Sequence, residues 1–281
     1  MDMKEELKMD AEAYFNIGYE KYENNDFDGA IENYSKAIEI NPEYAKAYIG
    51  RRSVRLRNGD FKGSSEDHAH AKKIYRKIIE MNPDDAEAYC NLGNLSNYQL
   101  AMENYNKSLK INPYFAAAYL SRGERIFYNG DKVGAMADFQ KTIEIEPDNH
   151  SAYYWRGQAK ASLKDFSGAI DDYSKAIEKC ACYHYYLSRG CAKKDMNDDE
   201  GAIQDYLKMI DIYPDDFIPY LHLADIYCKR KEYSKAVEYL DKVIKIVFDE
   251  GDFSTDEFLM QHYSEEDWNE LVKYKTNKIN T

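Results

Sequence analysis

With 281 residues, 32% of them charged and 44% apolar, the chain can bury one large core or two ordinary ones but has little apolar surface to spare. Its net charge of −13 opposes the clustered Lys/Arg contacts that phosphate backbones require, so nucleic acid is excluded as an expected partner. Its apolar runs fall far short of the roughly 18 residues a bilayer span needs, so no membrane segment is expected. The opening MDMKEELKMD lacks the apolar stretch of a secretory leader. Five cysteines, an odd number with no disulfide framework in their spacing, fit a reducing cytoplasm.

Residues 1–10 read as a lead-in. From Ala11 the chain runs AEAYFNIGYEKYENNDFDGAIENYSKAIEINPE, with Ala30, Tyr34, Ala37 and Ile38 at the three- and four-residue steps of an amphipathic helix. Near copies return with prolines at 42, 83, 113, 147 and 214, each stopping a helix before the next copy. The copies divide residues 11–250 into seven repeats: 11–44, 45–85, 86–115, 116–149, 150–182, 183–216 and 217–250. The second is longer than the norm by about two helical turns and the third shorter by about one, so apolar faces stay in register. Ser64, His68, Ala71, Tyr75 and Ile78 keep helical spacing, which predicts an elongated second helix capped by Ser64 or Ser65. The fifth repeat ends in CACYH instead of proline. Cys180, Cys182, His184 and Cys191 are zinc-ligand types, but their spacing is that of no known finger, and free packing or surface thiols are expected. Beyond 250, Thr255 and Ser264 mark helix starts, and Phe258, Leu259, Trp268, Leu271 and Val272 form an apolar stripe. Residues 251–281 therefore read as capping helices and tail for an open stack.

Aligned on the prolines, position 4 of every repeat is tyrosine (Tyr14, Tyr48, Tyr89, Tyr119, Tyr153, Tyr186, Tyr220). Position 8 is Gly18, Gly93, Gly123, Gly157 or Gly190, and the small residue of the second helix is Ala30, Ala101, Ala135, Ala169, Ala202 or Ala236. Position 7 is Arg51, Arg122, Arg156 or Arg189 only where position 23 is Asp67, Asp138, Asp172 or Asp205, which predicts an ion pair joining the two helices of each such repeat. In these motifs and this period, residues 11–250 resemble the tetratricopeptide repeat family. The resemblance implies an all-α fold: a right-handed α-solenoid, or superhelix, of stacked antiparallel helix pairs. It also implies an inner wall, lined by the first helix (A) of each pair, that binds peptides or proteins.

Position 5, on the helix A face opposite helix B, is apolar in every repeat. The partner-binding residues expected on this wall are Phe15, Tyr19, Tyr22, Ile49, Leu120, Phe127, Tyr154, Gln158, Leu187 and Leu221. One branch of the family clamps chaperone C-terminal tails with Lys at position 5, and no repeat here has it, so that partner is disfavoured. No phosphate-cradling glycine loop, nucleophile elbow or HExxH occurs, and no cofactor or metal is expected. The expected function is a non-enzymatic, cytoplasmic protein–protein interaction scaffold for a protein or peptide segment. Two alternatives stand beside it. One is an enzyme or regulatory subunit with a site at 50–100 or at the Cys180/Cys182/His184/Cys191 cluster; the other is an assembly spacer using the convex face or the C-terminal helix.

Overall fold

The computed structural model describes residues 9–247, 266–267 and 269–273, and all regular structure among them is helical. The chain forms two compact bodies, Met1–Arg125 and Ile126–Thr281. The first holds α1 (Ala11–Glu23), α2 (Phe27–Ile40), α3 (Ala45–Arg57), α4 (Phe61–Met81), α5 (Ala86–Asn94), α6 (Tyr98–Ile111) and the start of α7 (Ala116–Tyr128). The second holds α8 (Lys132–Ile145), α9 (His150–Ser162), α10 (Phe166–Lys179), α11 (Tyr183–Asp195), α12 (Asp199–Ile212), α13 (Phe217–Lys229) and α14 (Tyr233–Val247). Odd-numbered helices are A helices and even-numbered ones B helices. Within each body an A helix packs on the B helix that follows it, and that B helix packs on the next A, the stacking of a helical solenoid.

The A-to-B turns other than α5–α6 each carry a residue at positive φ, supplied by Asn25, Gly59, Gly130, Lys164, Asn197 or Lys231. An aspartate then caps the B helix: Asp26, Asp60, Asp131, Asp165 and Asp198 each accept from the amide of a glycine three residues on. This corrects the expected start of the elongated helix. Asp60, not Ser64 or Ser65, caps α4, which begins a turn earlier and runs 21 residues, while Ser64 is buried inside it. The shortened third repeat loses its residues from the A helix: α5 has 9 residues where α1 has 13.

Glycine at position 8 has a clear steric cause. A Cβ on Gly18, Gly93, Gly157 or Gly190 would lie 2.6–2.8 Å from the ring of Tyr34, Tyr105, Tyr173 or Tyr206 on the paired B helix. Those four rings are almost wholly buried, so the interior of each pair is a tyrosine laid flat against bare backbone.

The predicted ion pairs are present where a repeat lies within one body. Arg51 Nη2 donates to Asp67 Oδ1 at 2.7 Å, Arg156 Nη2 to Asp172 Oδ1 at 2.5 Å, and Arg189 Nη2 to Asp205 Oδ1 at 2.6 Å. The fourth, Arg122 with Asp138, falls across the division between the bodies. Two further contacts recur. A second cation at position 11 reaches the same carboxylate: Arg55 at 3.0 Å, Lys160 at 2.7 Å and Lys193 at 2.9 Å. The other arginine nitrogen reaches back to the preceding B helix. Arg51 donates to Ser35 Oγ at 2.9 Å, Arg122 to Asn106 Oδ1 at 2.6 Å, Arg189 to Ser174 Oγ at 3.0 Å, and Arg156 to Gln140 Oε1. Arg51, Arg156 and Arg189 thus each join three helices.

Of the predicted capping stripe, Phe258, Leu259 and Trp268 lie outside the described residues, as do the helix starts Thr255 and Ser264. Leu271, on a helical stretch, is buried against Ala224, Cys228, Tyr233 and Leu240 of α13 and α14. Tyr233 also donates to Asp267 Oδ1 at 3.1 Å. Val272 is exposed.

Candidate functional site

In the first body, α1 touches α3 directly, so two A helices stand side by side. Four of the predicted wall residues converge there. Phe15, Tyr19, Tyr22 and Ile49 line one cavity of about 320 Å³, with Tyr34 and Tyr75 of the B helices as its floor. Helical spacing explains the grouping, since 15, 19 and 22 share one face of α1. The Phe15 ring is fixed against Tyr34 (5.6 Å between centroids) and Tyr44 (5.5 Å). Tyr19 is 54% exposed. Tyr22 stacks under the Arg57 guanidinium at 5.1 Å. Burial above all pushes the Tyr34 and Tyr75 phenols up to about 12, so the floor stays uncharged at neutral pH.

A second cavity, of about 230 Å³, adjoins the first and shares Lys46, Tyr75 and Asn91 with it. Its character differs: Glu43, Asp85 and Glu87 line it beside Tyr44 and Ile78. Lys46 pairs with Glu87 at 3.4 Å and Lys77 with Glu43, both on exposed side chains. Asp85 accepts from the amide of Ala88 as the cap of α5.

In the second body the wall residues meet different fates. Phe127 joins Tyr128 and Trp155 in a mutual edge-on cluster with centroids 5.4–5.6 Å apart. Lys132 Nζ lies 3.5 Å from the Phe127 ring and donates to the Phe127 carbonyl. Tyr154 is half-buried among Trp155, Tyr173, His184 and Tyr185, and burial raises its phenol pKa. Gln158 is occupied internally, donating to the Tyr154 hydroxyl at 3.1 Å and accepting from Tyr173. Leu187 packs on the core around Tyr206 and Leu223, and Leu221 on the core around Ala224 and Leu240. In the first body, Leu120 is half-buried on α7. Trp155 was not expected on this wall, although position 6 lies beside position 5 on helix A and a ring there is the available signal; His184, weighed in the sequence as a zinc-ligand type, instead packs edge-on against Tyr154.

The cysteine cluster differs from the expected free thiols. Cys180 and Cys182 are joined in a disulfide across the α10–α11 connection, where the other repeats carry proline, leaving Cys90, Cys191 and Cys228 free. That bond takes up two of the four side chains weighed as zinc ligands. Among the described residues no group of three or more His, Cys, Asp or Glu is placed to hold a metal ion, and no helix is long and apolar enough to cross a membrane.

Family models for the tetratricopeptide repeat match residues 11–44, 57–85, 74–101, 127–181, 183–216 and 220–246. Among solved structures, the crystal structure of MamA is 25% identical, covering 53% of this chain and 88% of its own, with a TM-score of 0.51. Yeast Tom70 is 15% identical over 96% of this chain and 77% of its own, TM-score 0.54. PilW, a type IV pilus biogenesis factor, is 16% identical over 73% of this chain and 94% of its own, TM-score 0.52.

Proposed function

Because the chain belongs to the tetratricopeptide repeat family, we propose that it is a non-enzymatic scaffold that grips a segment of another protein on its A-helix surfaces. One observation carries this reading: Phe15, Tyr19, Tyr22 and Ile49 open onto one cavity on α1 and α3 instead of closing on each other. Aromatic side chains held at a rim, with a buried uncharged floor, suit an apolar anchor of an extended or helical segment. The second body offers Tyr128 as a further exposed ring beside Phe127 and Trp155. The cytoplasmic setting expected from the sequence is no part of this reading, because the Cys180–Cys182 disulfide is a bond that a reducing milieu does not favour.

The test compares pull-downs from native lysate by the wild type, Tyr19→Glu and Tyr114→Glu. Both tyrosines are exposed, so neither change should unfold the chain, and Tyr114 lies in the α6–α7 connection away from the cavity. Partners lost with Tyr19→Glu and kept with Tyr114→Glu are expected. Identical partner sets for all three proteins would remove the groove from consideration.

A further inference from the structure

The two adjoining cavities of the first body are chemically unlike, and their order along the groove specifies a ligand. At one end Arg57 lies over Tyr22. In the middle Phe15, Tyr19 and Ile49 are apolar. At the other end five carboxylates gather: Glu43, Asp85 and Glu87 line the second cavity, and Asp10 and Glu12 act on its Tyr44. Among the described residues Lys46 and Lys77 oppose them there, both through exposed, solvent-screened pairs.

Resting on the binding role proposed above, we infer that this groove selects an extended segment in which a bulky apolar residue is flanked by lysine or arginine, the apolar side chain entering among Phe15, Tyr19 and Ile49 and the cation meeting Glu43 and Glu87.

The same carboxylates act on two phenols of the groove. Tyr75 is raised to about 12, by burial first and by Glu87 and Asp85 in addition. Tyr44 is raised by burial and then by Glu12 and Asp10. The same carboxylates that resist a phenolate welcome an ammonium or guanidinium. A ligand cation can displace Lys46 from Glu87, because a surface pair at 3.4 Å is weakly held. The carboxylates of the second cavity lie at the helix A N-termini, which gives the segment a direction, with its basic flank toward them. An acidic chain of net charge −13 also draws basic segments at long range and repels acidic ones.

The probe is a random dodecapeptide phage library panned on the purified full chain, with Tyr19→Glu as counter-target. Clones that bind the wild type, fail on Tyr19→Glu and carry a large apolar residue within a few positions of Lys or Arg are expected. Clones that depend on Tyr19 yet lack basic residues, or carry Asp or Glu instead, would overturn the charge assignment and leave the groove standing. Absence of any Tyr19-dependent clone would overturn both. For the strongest basic peptide, the double variant Glu43→Gln/Glu87→Gln should weaken binding roughly 3- to 10-fold, and 0.5 M salt should erase that difference. Both carboxylates are exposed and neither caps a helix, so this variant folds as the wild type does. Unchanged affinity in it would also refute the assignment.

Discussion

Replacing Asp172 with alanine tests the polar joint of the stack directly. The carboxylate is almost wholly buried and receives Arg156 Nε at 2.8 Å, Arg156 Nη2 at 2.5 Å and Lys160 Nζ at 2.7 Å. Hydrogen bonds to charged groups are each worth about 1.5–3 kcal/mol, and stripping one partner from a buried pair typically costs about 3–5 kcal/mol. Here Arg156 and Lys160 keep 13% and 24% side-chain exposure, so both cations can partly rehydrate, which favours the lower end of that range. Alanine is also a better helix former than aspartate by roughly 0.6 kcal/mol. The expected net loss is about 2.5–3.5 kcal/mol. Urea unfolding followed by far-ultraviolet circular dichroism measures it, and hydrogen exchange should place the lost protection in α9–α11. The neighbouring Asp171→Ala, at an exposed site on the same helix, is the control and should stay within about 0.5 kcal/mol of wild type. The double variant Arg156→Met/Asp172→Leu should be less damaging than Asp172→Ala, because no buried charge is left without its partner. A loss below 1 kcal/mol for Asp172→Ala, or a loss matched by Asp171→Ala, would refute the reasoning.

Gly157→Ala should destabilise the chain by about 1–3 kcal/mol and lower the Tm by several degrees in calorimetry, since its Cβ would sit 2.7 Å from the Tyr173 ring. Thiol titration under denaturing, non-reducing conditions should count three thiols and not five. In the folded chain Cys191 should react first, because burial pushes the Cys90 and Cys228 thiols up to about 11. Alkaline stability carries a defined sign: Tyr34, Tyr75 and Tyr105 are raised from 10.0 to about 12, so the folded state holds their protons more tightly than the unfolded one. Their contribution is fully present below pH 10 and is lost as pH rises toward 12. Phenolate absorbance at 295 nm should show these three ionising together with unfolding.

The helices and their pairing were legible because the chain repeats itself and each copy checks the others. Gly18 and Tyr34 mean little alone, but Gly93 with Tyr105 and Gly157 with Tyr173 recur at matching places, and the structure shows ring against backbone in each. The Arg156–Asp172 pair was readable because arginine and aspartate appear and vanish together among the repeats. The second cation was equally available, since Arg55, Lys160 and Lys193 share one position, yet it was overlooked. The cap of α4 was misplaced because serine looked the obvious candidate, whereas Asp60 followed by Gly63 repeats the pattern of Asp26 with Gly29. The Cys180–Cys182 bond was hidden for another reason: it depends on a connection that lacks the usual proline, and no other copy resembles it. At the site, Phe15, Tyr19, Tyr22 and Ile49 were legible from face periodicity. Periodicity says which way a side chain leaves its helix and not what waits there, which is why Gln158, Leu187 and Leu221 turn out engaged with neighbours of their own.

The arginines that clasp their own aspartate and also reach back one helix change how the stack answers a pull. Grease alone lets stacked rods slide and tilt by small increments, whereas a fork anchored at three points loses its bonds all at once. Inside either body, a tug at one rod is therefore passed to the next as through a stiff hinge, giving a spring that flexes at its turns and resists shear at its joints.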